Sequence, residues 1–319
     1  MLTSADITVA VLAHKRPDLL KEALAAYRAQ TVQGFRLIVV SNGDCPAIKD
    51  VCAAYQAELF YEPAELAMYD NIKRALQIPI TALTVLAHDD DLVEPDYLAA
   101  LLYLFNKFDD LTLVIPARYS EETPWNNPSV RSYIRFQSPA YLAGYLFSGG
   151  AFTFSSFCAK TALLRQADTS VFNTYGKVSD VNLMFQNFPA KNASACVAGP
   201  FIKYRLHEQQ DCQTFSTGPT MDQWLSLTQF YKSLMDVSPA TRRVFTLQVS
   251  RYLRAGWQDW CKCEHVNHTY REFLQAARMR GLLPCKAVLC GKLLRGKLSH
   301  ALQNKLLNLP VETLNDYEK

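Results

Sequence analysis

Over its first 120 residues the chain alternates near-continuous apolar runs with segments whose apolar positions recur every three or four residues. ITVAVLA (7–13), FRLIVVS (35–41), AELFYE (57–62), TALTVLA (81–87) and LTLVIPA (111–117) read as strands. PDLLKEALAAYRAQ (17–30), PAIKDVCAAYQ (46–56), AMYDNIKRALQ (67–77) and a stretch from about Pro95 to Lys107 read as the helices between them. In the first helix Leu19, Leu20, Ala23, Leu24 and Tyr27 share a face, with Lys21, Glu22 and Arg28 placed elsewhere, as a helix packed on a sheet requires. Apolar strands separated by helices predict a mostly parallel sheet covered on both faces, an α/β architecture of the nucleotide-binding type.

The pattern loosens over about 118–216, with turn-rich stretches at EETPWNNPS (121–129) and LFSGGAF (146–152). Irregular segments following such a sheet are where substrate contacts concentrate. From Met221 onward the periodicity is helical, with helices expected near 221–235, 239–263, 268–280 and 285–307. A boundary in the STGP stretch (217–220) divides the chain into an α/β unit, 1–218, and a helical C-terminal unit, 219–319.

Composition narrows the function classes. The 319 residues are 49% hydrophobic and 20% charged, which is globular and leaves little room for long disorder. A formal charge of +3 is too small to point to a nucleic-acid partner. The basic excess is local: residues 221–319 hold fifteen Lys or Arg against eight Asp or Glu. Nine cysteines at irregular spacing do not resemble a disulfide framework, and a reducing cytoplasm is expected. No stretch reaches the roughly 18 apolar residues needed to span a bilayer.

The strongest chemical signal is VLAHDDDLVEPDY (85–97), three carboxylates directly behind an apolar strand. Like charges this close resist desolvation unless something positive sits among them, and a divalent cation would serve. In open α/β sheets ligands bind at the carboxyl ends of strands, where HDDD (88–91) stands. Carboxylates leaving a strand can divide the work, one bonding a ribose hydroxyl and a neighbour meeting a metal that bridges nucleotide phosphates. The alternative is an acidic loop that caps the next helix.

These segments together resemble family 2 glycosyltransferases. ITVAVLAHKRPDLLKEALAAYRAQTVQGFRLIVVSNGD is similar to the family's opening, HDDDLVEPDY to its DxD region, and YRLHEQ (204–209) to its Tyr-Arg-x-His element, over roughly residues 5–215. The resemblance implies a GT-A fold that binds a nucleotide-sugar and a divalent metal, Mn²⁺ or Mg²⁺, and transfers the sugar with inversion. By position it implies Asp89 on the ribose side and Asp90 on the metal side, with Asp91 a further ligand, and it shows His88 where the family usually has its first Asp. It also places His14 where an aromatic residue stacks on the base, Asn42 where an acidic residue reads the base, and Asn71 on the donor-side helix. Each has a plainer reading: a solvated histidine, an Asn-Gly turn and a polar helix face, respectively. Asp180, in KVSDVNLMFQ (177–186), corresponds to the family's general base, although Asp also suits a helix cap. His207 is expected to approach the metal or the pyrophosphate from the opposite side, with Arg205 nearby or structural.

The expected partners are a UDP-linked sugar donor and a glycan or lipid-linked glycan acceptor, of the kind found in surface polysaccharides. The oligomeric state is left open. CKAVLCGKLLRGKLSHALQNKLLNL (285–309) has five Lys or Arg and no acidic residue, which suits peripheral contact with an anionic membrane, at the inner face of the cytoplasmic membrane, or a basic helix face in water. CKCEHVNH (261–268) offers a rival zinc motif, but only one residue separates its cysteines and a helix would turn its ligands to different faces. Two other functions compete. A sugar nucleotidyltransferase would need a glycine-rich phosphate loop that VLAHKRPDLL lacks; an inactive glycan- or nucleotide-sugar-binding protein would fit His88 and Asn42.

Overall fold

The computed structural model describes residues 1–119, 131–149, 153–188, 192–205, 207, 220–264, 270–283, 307, 309–310 and 312–314. The stretches 121–129, 150–152, 217–219, 265–268 and most of 285–309 lie outside the described residues, and with them most of the zinc motif, the basic tail and the expected domain boundary.

The strands are β1 (Ile7–Ala13), β2 (Arg36–Ser41), β3 (Glu58–Tyr61), β4 (Leu83–His88), β5 (Leu92–Val93), β6 (Leu111–Tyr119), β7 (Ser132–Phe136), β8 (Phe157–Lys160), β9 (Ser194–Lys203) and β10 (Glu312–Thr313). The α-helices are α1 (Pro17–Arg28), α2 (Pro46–Ala54), α3 (Met68–Gln77), α4 (Tyr97–Lys107), α5 (Pro139–Phe147), α6 (Thr161–Arg165), α7 (Val171–Tyr175), α8 (Ser179–Gln186), α9 (Met221–Met235), α10 (Pro239–Glu264) and α11 (Tyr270–Met279). Proline opens α1, α2 and α5, where a missing N–H costs nothing.

One sheet runs in the order β10-β7-β9-β6-β8-β4-β1-β2-β3, with β5 added beside β9. The N-terminal half, β3-β2-β1-β4, is parallel as the alternation of strands and helices requires. The sheet as a whole is mixed, because β8 enters antiparallel between β4 and β6, and β7, β5 and β10 also pair antiparallel. Alternate residues of each strand feed two cores. Val9, Val11, Val39, Val85 and Ala87 join α1, α2 and α4 on one face, whereas Ala10, Ile38, Val40 and Leu86 join α3, α5 and α8 on the other.

The C-terminal helices are continuous with this second core. Phe147 of α5 stacks on Phe245 and Tyr252 of α10, with centroids 5.0 and 4.3 Å apart, and meets Tyr231 of α9 at 5.2 Å. At the far edge the chain returns to the sheet, where Glu312 and Thr313 pair with Tyr133 and Ser132. Glu312 there accepts a hydrogen bond from the Tyr133 hydroxyl and meets Lys107.

Candidate active site

Strand register brings the chemistry together. Leu12 lies opposite His88, and Ala13 lies opposite Ser41, so β1, β2 and β4 end side by side. Asp89 N–H donates to Leu12 O at 3.1 Å and Asn42 N–H to Ala13 O at 3.0 Å, extending both pairings one residue beyond the strands. On the other side β5 pairs Leu92 with Lys203 at the end of β9, which carries Arg205 and His207 up against the carboxylates.

The chain leaves β4 after His88, and the three aspartates that follow part there. His88, Asp90 and Asp91 form a group in which each offers a ligand atom, all within 4.8 Å of one another. Asp89 goes the other way. It is fully buried, its Oδ1 meets Arg16 Nη2 at 2.5 Å, and its Oδ2 accepts from the His14 backbone N–H at 3.0 Å. The sequence places Asp89 on the ribose side of a donor; the structure leaves it no exposed surface and spends it on fixing the β1–α1 turn.

The positive charge that the acidic run demands is partly supplied by the chain itself. Arg16 bridges Asp89 and Asp90, with Nη1 donating to Asp90 Oδ2 at 3.0 Å. His207 Nε2 lies 3.1 Å from the same oxygen. Asp91 accepts from the Arg205 backbone N–H at 3.3 Å and from the Ser155 hydroxyl. Arg205 also donates to the Asp90 carbonyl oxygen and pairs with Glu22 of α1 at 2.5 Å. Neither Arg16 nor Ser155 stands out in the sequence as a site residue, although the cation beside the proline in HKRPD was a usable signal once three carboxylates needed neutralising.

These contacts set the carboxylates apart. Burial pushes Asp89 up to about 6 despite Arg16. Burial acts on Asp90 too, but His88, Arg16 and His207 outweigh it and hold that carboxyl below its ordinary value. Asp91 is raised by burial and then by the charge on Asp90.

Asp180 sits in the first turn of α8, where its Oδ1 accepts from the Val181 N–H at 2.8 Å. Enclosure pushes its carboxyl up to about 6, with that N–H and the nearby His88 opposing. It therefore has the contact expected of a residue serving a helix start and the raised value expected of a proton acceptor. His88 acts electrostatically on Asp90, Asp91 and Asp180 alike.

The remaining candidates surround the strand ends. His14 turns its ring to Glu65, Nε2 to Oε1 2.7 Å, and Lys15 pairs with the other oxygen of the same carboxylate at 2.6 Å. Asn42 is buried, with Oδ1 accepting the Leu66 N–H at 2.8 Å and Nδ2 donating to Leu66 O at 2.9 Å. Asn71 is also buried, on the inner side of α3, and accepts from Arg74, whose guanidinium also donates to Ser41 O at 2.8 Å. Among the described residues no helix is long and apolar enough to cross a membrane.

The oxygen-rich His88–Asp90–Asp91 group at the end of a nucleotide-binding sheet has the donor chemistry of a divalent-cation site. Solved structures show where this fold recurs. The chain is similar to S. aureus TarS 1–349 at 12% identity, covering 86% of this chain and 91% of that one with a TM-score of 0.52. It is also similar to TarS 1–349 in complex with UDP-GlcNAc at 10% identity, covering 87% and 83% with a TM-score of 0.58. These likenesses identify the fold as GT-A. A comparison with curated proteins found no match. Residues 8–167, half of the 319-residue chain, match the profile described as Glycosyl transferase family 2, and they span β1 through the HDDD segment to α6. The chain belongs to glycosyl transferase family 2 and is a glycosyltransferase.

Proposed function

We propose that this enzyme transfers a sugar, with inversion, from a UDP-sugar to a hydroxyl group of a surface glycan or its lipid-linked precursor. The observation that carries the reading is the grouping of His88, Asp90 and Asp91 at the end of β4, with the Asp180 carboxyl within electrostatic reach of His88. A divalent cation held by His88, Asp90 and Asp91 would stabilise the negative charge that develops on the leaving diphosphate. His207 braces Asp90 from the β9 side, and Arg16 keeps Asp90 facing the cluster by occupying the space between it and Asp89.

Asp180 is the general base in this reading. It takes the proton from the acceptor hydroxyl as that oxygen attacks the anomeric carbon from the face opposite the diphosphate, and no covalent intermediate forms. A carboxyl raised to about 6 is ionised at neutral pH yet basic enough to accept a proton in the transition state. His14 and Asn42 border the base end of the donor pocket, Asn42 through the Leu66 backbone that it pins, and Asn71 supports the same wall through Arg74. Asp89 serves the donor indirectly, by fixing Arg16 and the His14 backbone. The UDP-GlcNAc complex of a protein with a similar fold supports UDP as the nucleotide. Peripheral membrane contact through the basic 285–309 segment would bring a lipid-linked acceptor to the site.

Calorimetric titration with UDP, with and without Mn²⁺, on the wild type and on Asp90→Ala tests the donor half of this proposal. Binding that strengthens with Mn²⁺ and loses that gain in the variant is expected. UDP binding that ignores both the metal and the substitution would reject it.

A further inference from the structure

His88 puts a nitrogen donor into a site that oxygen could have filled. Its imidazole, Asp90 and Asp91 all bring ligand atoms within 4.8 Å of one another. The backbone and side chains fix this arrangement from several directions. The His88 backbone N–H donates to Ser155 Oγ at 3.3 Å, and the same hydroxyl bonds Asp91, so the His88 main chain and the Asp91 carboxylate share a common support. The Phe154 ring flanks the imidazole at 5.8 Å between centroids, adding an apolar side to the site. Asp90 is braced on Oδ2 by Arg16 and His207 together.

Such a donor set does not treat divalent ions alike. Mg²⁺ favours all-oxygen coordination and gives up its waters reluctantly. Imidazole binds later first-row ions more strongly, and affinity rises from Mn²⁺ towards Co²⁺. We infer that His88 is a specificity-determining ligand that makes this site select Mn²⁺ and Co²⁺ over Mg²⁺. The inference rests on the cation-assisted donor binding proposed above. A purely electrostatic role for His88, as a positive neighbour of the carboxylates, predicts something different: removing it would alter affinity for every divalent ion by the same factor.

The test is calorimetric titration of UDP into the full chain, with Mn²⁺, Co²⁺ or Mg²⁺ each at a concentration that saturates the nucleotide. The wild type, His88→Asp, His88→Asn and Asp90→Ala are compared. In the wild type the dissociation constant for UDP should be at least about tenfold lower in Mn²⁺ or Co²⁺ than in Mg²⁺. His88→Asp should bring that ratio close to one, mainly through tighter binding in Mg²⁺. His88→Asn, a neutral oxygen donor of shorter reach, should lower the ratio as well and serves if His88→Asp does not fold. Equal binding in all three metals by the wild type overturns the inference, as does a ratio preserved in both His88 variants. If Asp90→Ala abolishes the metal effect while the His88 variants keep the ratio, the cation site stands and the role of His88 falls. If no metal alters UDP binding in any protein, both fall.

Discussion

Gly176 joins the C-terminal helices to the segment that carries Asp180, and replacing it with alanine tests that coupling. Its backbone, at φ 49° and ψ −128°, lies in a region that residues with a Cβ avoid. A Cβ there would sit 2.1 Å from Gln223 Nε2 and 2.6 Å from its Oε1. The Gln223 amide is the end of a flexible side chain and can swing away, but it would then abandon the Thr220 N–H, which its Oε1 accepts at 3.0 Å in the capping box that starts α9. The strain costs about 2 kcal/mol and the weakened cap about 1 kcal/mol. A total near 3 kcal/mol corresponds to a fall of roughly 4 to 5 °C in the unfolding midpoint of a chain this long. The assay is thermal and denaturant unfolding of Gly176→Ala, Gln223→Ala and the double variant. With Gln223 already truncated, Gly176→Ala should cost only the strain, so the two substitutions should couple by about 1 kcal/mol. A Gly176→Ala protein within about 0.5 kcal/mol of the wild type, or an equal cost in both backgrounds, would refute the reasoning.

Asn42→Ala removes both bonds to Leu66 from a buried position and should destabilise the fold by about 1 to 2 kcal/mol, read from denaturant midpoints; an unchanged midpoint would mean that the Leu66 contacts are not maintained in solution. The Asp180 carboxyl holds its proton up to about 6 against an ordinary 3.8, so the folded chain binds that proton more tightly than the unfolded chain does. Ionised Asp180 therefore costs stability above about pH 6, and the cost fades as pH falls towards 4. Asp180→Asn should raise the unfolding midpoint near about pH 7.5 and lose that advantage at about pH 4, as scanning calorimetry at the two pH values would show. A variant less stable than the wild type at both would contradict the shift.

How much of this was legible in the chain depends on the strength of each local pattern. The parallel strands β1, β2, β3 and β4, the first strand of the second half, β6, and helices α1 to α4 announce themselves by long apolar runs and regular periodicity, and α9 to α11 lie close to their expected places. Five further strands, β5 and β7 to β10, do not. β8 is only FCAK, too short for an alternation to show. β9 is buried almost throughout, but its Gly199–Pro200 pair reads as a break rather than as a strand interior. β10 is a two-residue, exposed pairing made by the returning chain, which no local pattern encodes. These omissions are why the sheet reads as mostly parallel in the sequence and is mixed in the structure.

The site shows the same division. HDDD marks its place because a charged run behind an apolar strand is hard to explain otherwise. The division of labour within it was not readable: β4 ends at His88, and Asp89 turns inward to Arg16 and the His14 backbone, which lie far from it in sequence. Arg16, Ser155 and Arg205 approach from three separate segments, and only the folded register brings them to the carboxylates.

The central claim is that Asp180 takes a proton from a hydroxyl while a UDP-sugar is cleaved at the His88–Asp90–Asp91 site. Its most direct measurement is UDP release from a panel of UDP-sugars in Mn²⁺ by the wild type and Asp180→Asn, with UDP affinity determined for both. The wild type should release UDP from at least one UDP-sugar, with a drop of about 10² to 10⁴ in the variant and unchanged UDP binding. Release undiminished in Asp180→Asn, or no release from any UDP-sugar, would contradict it.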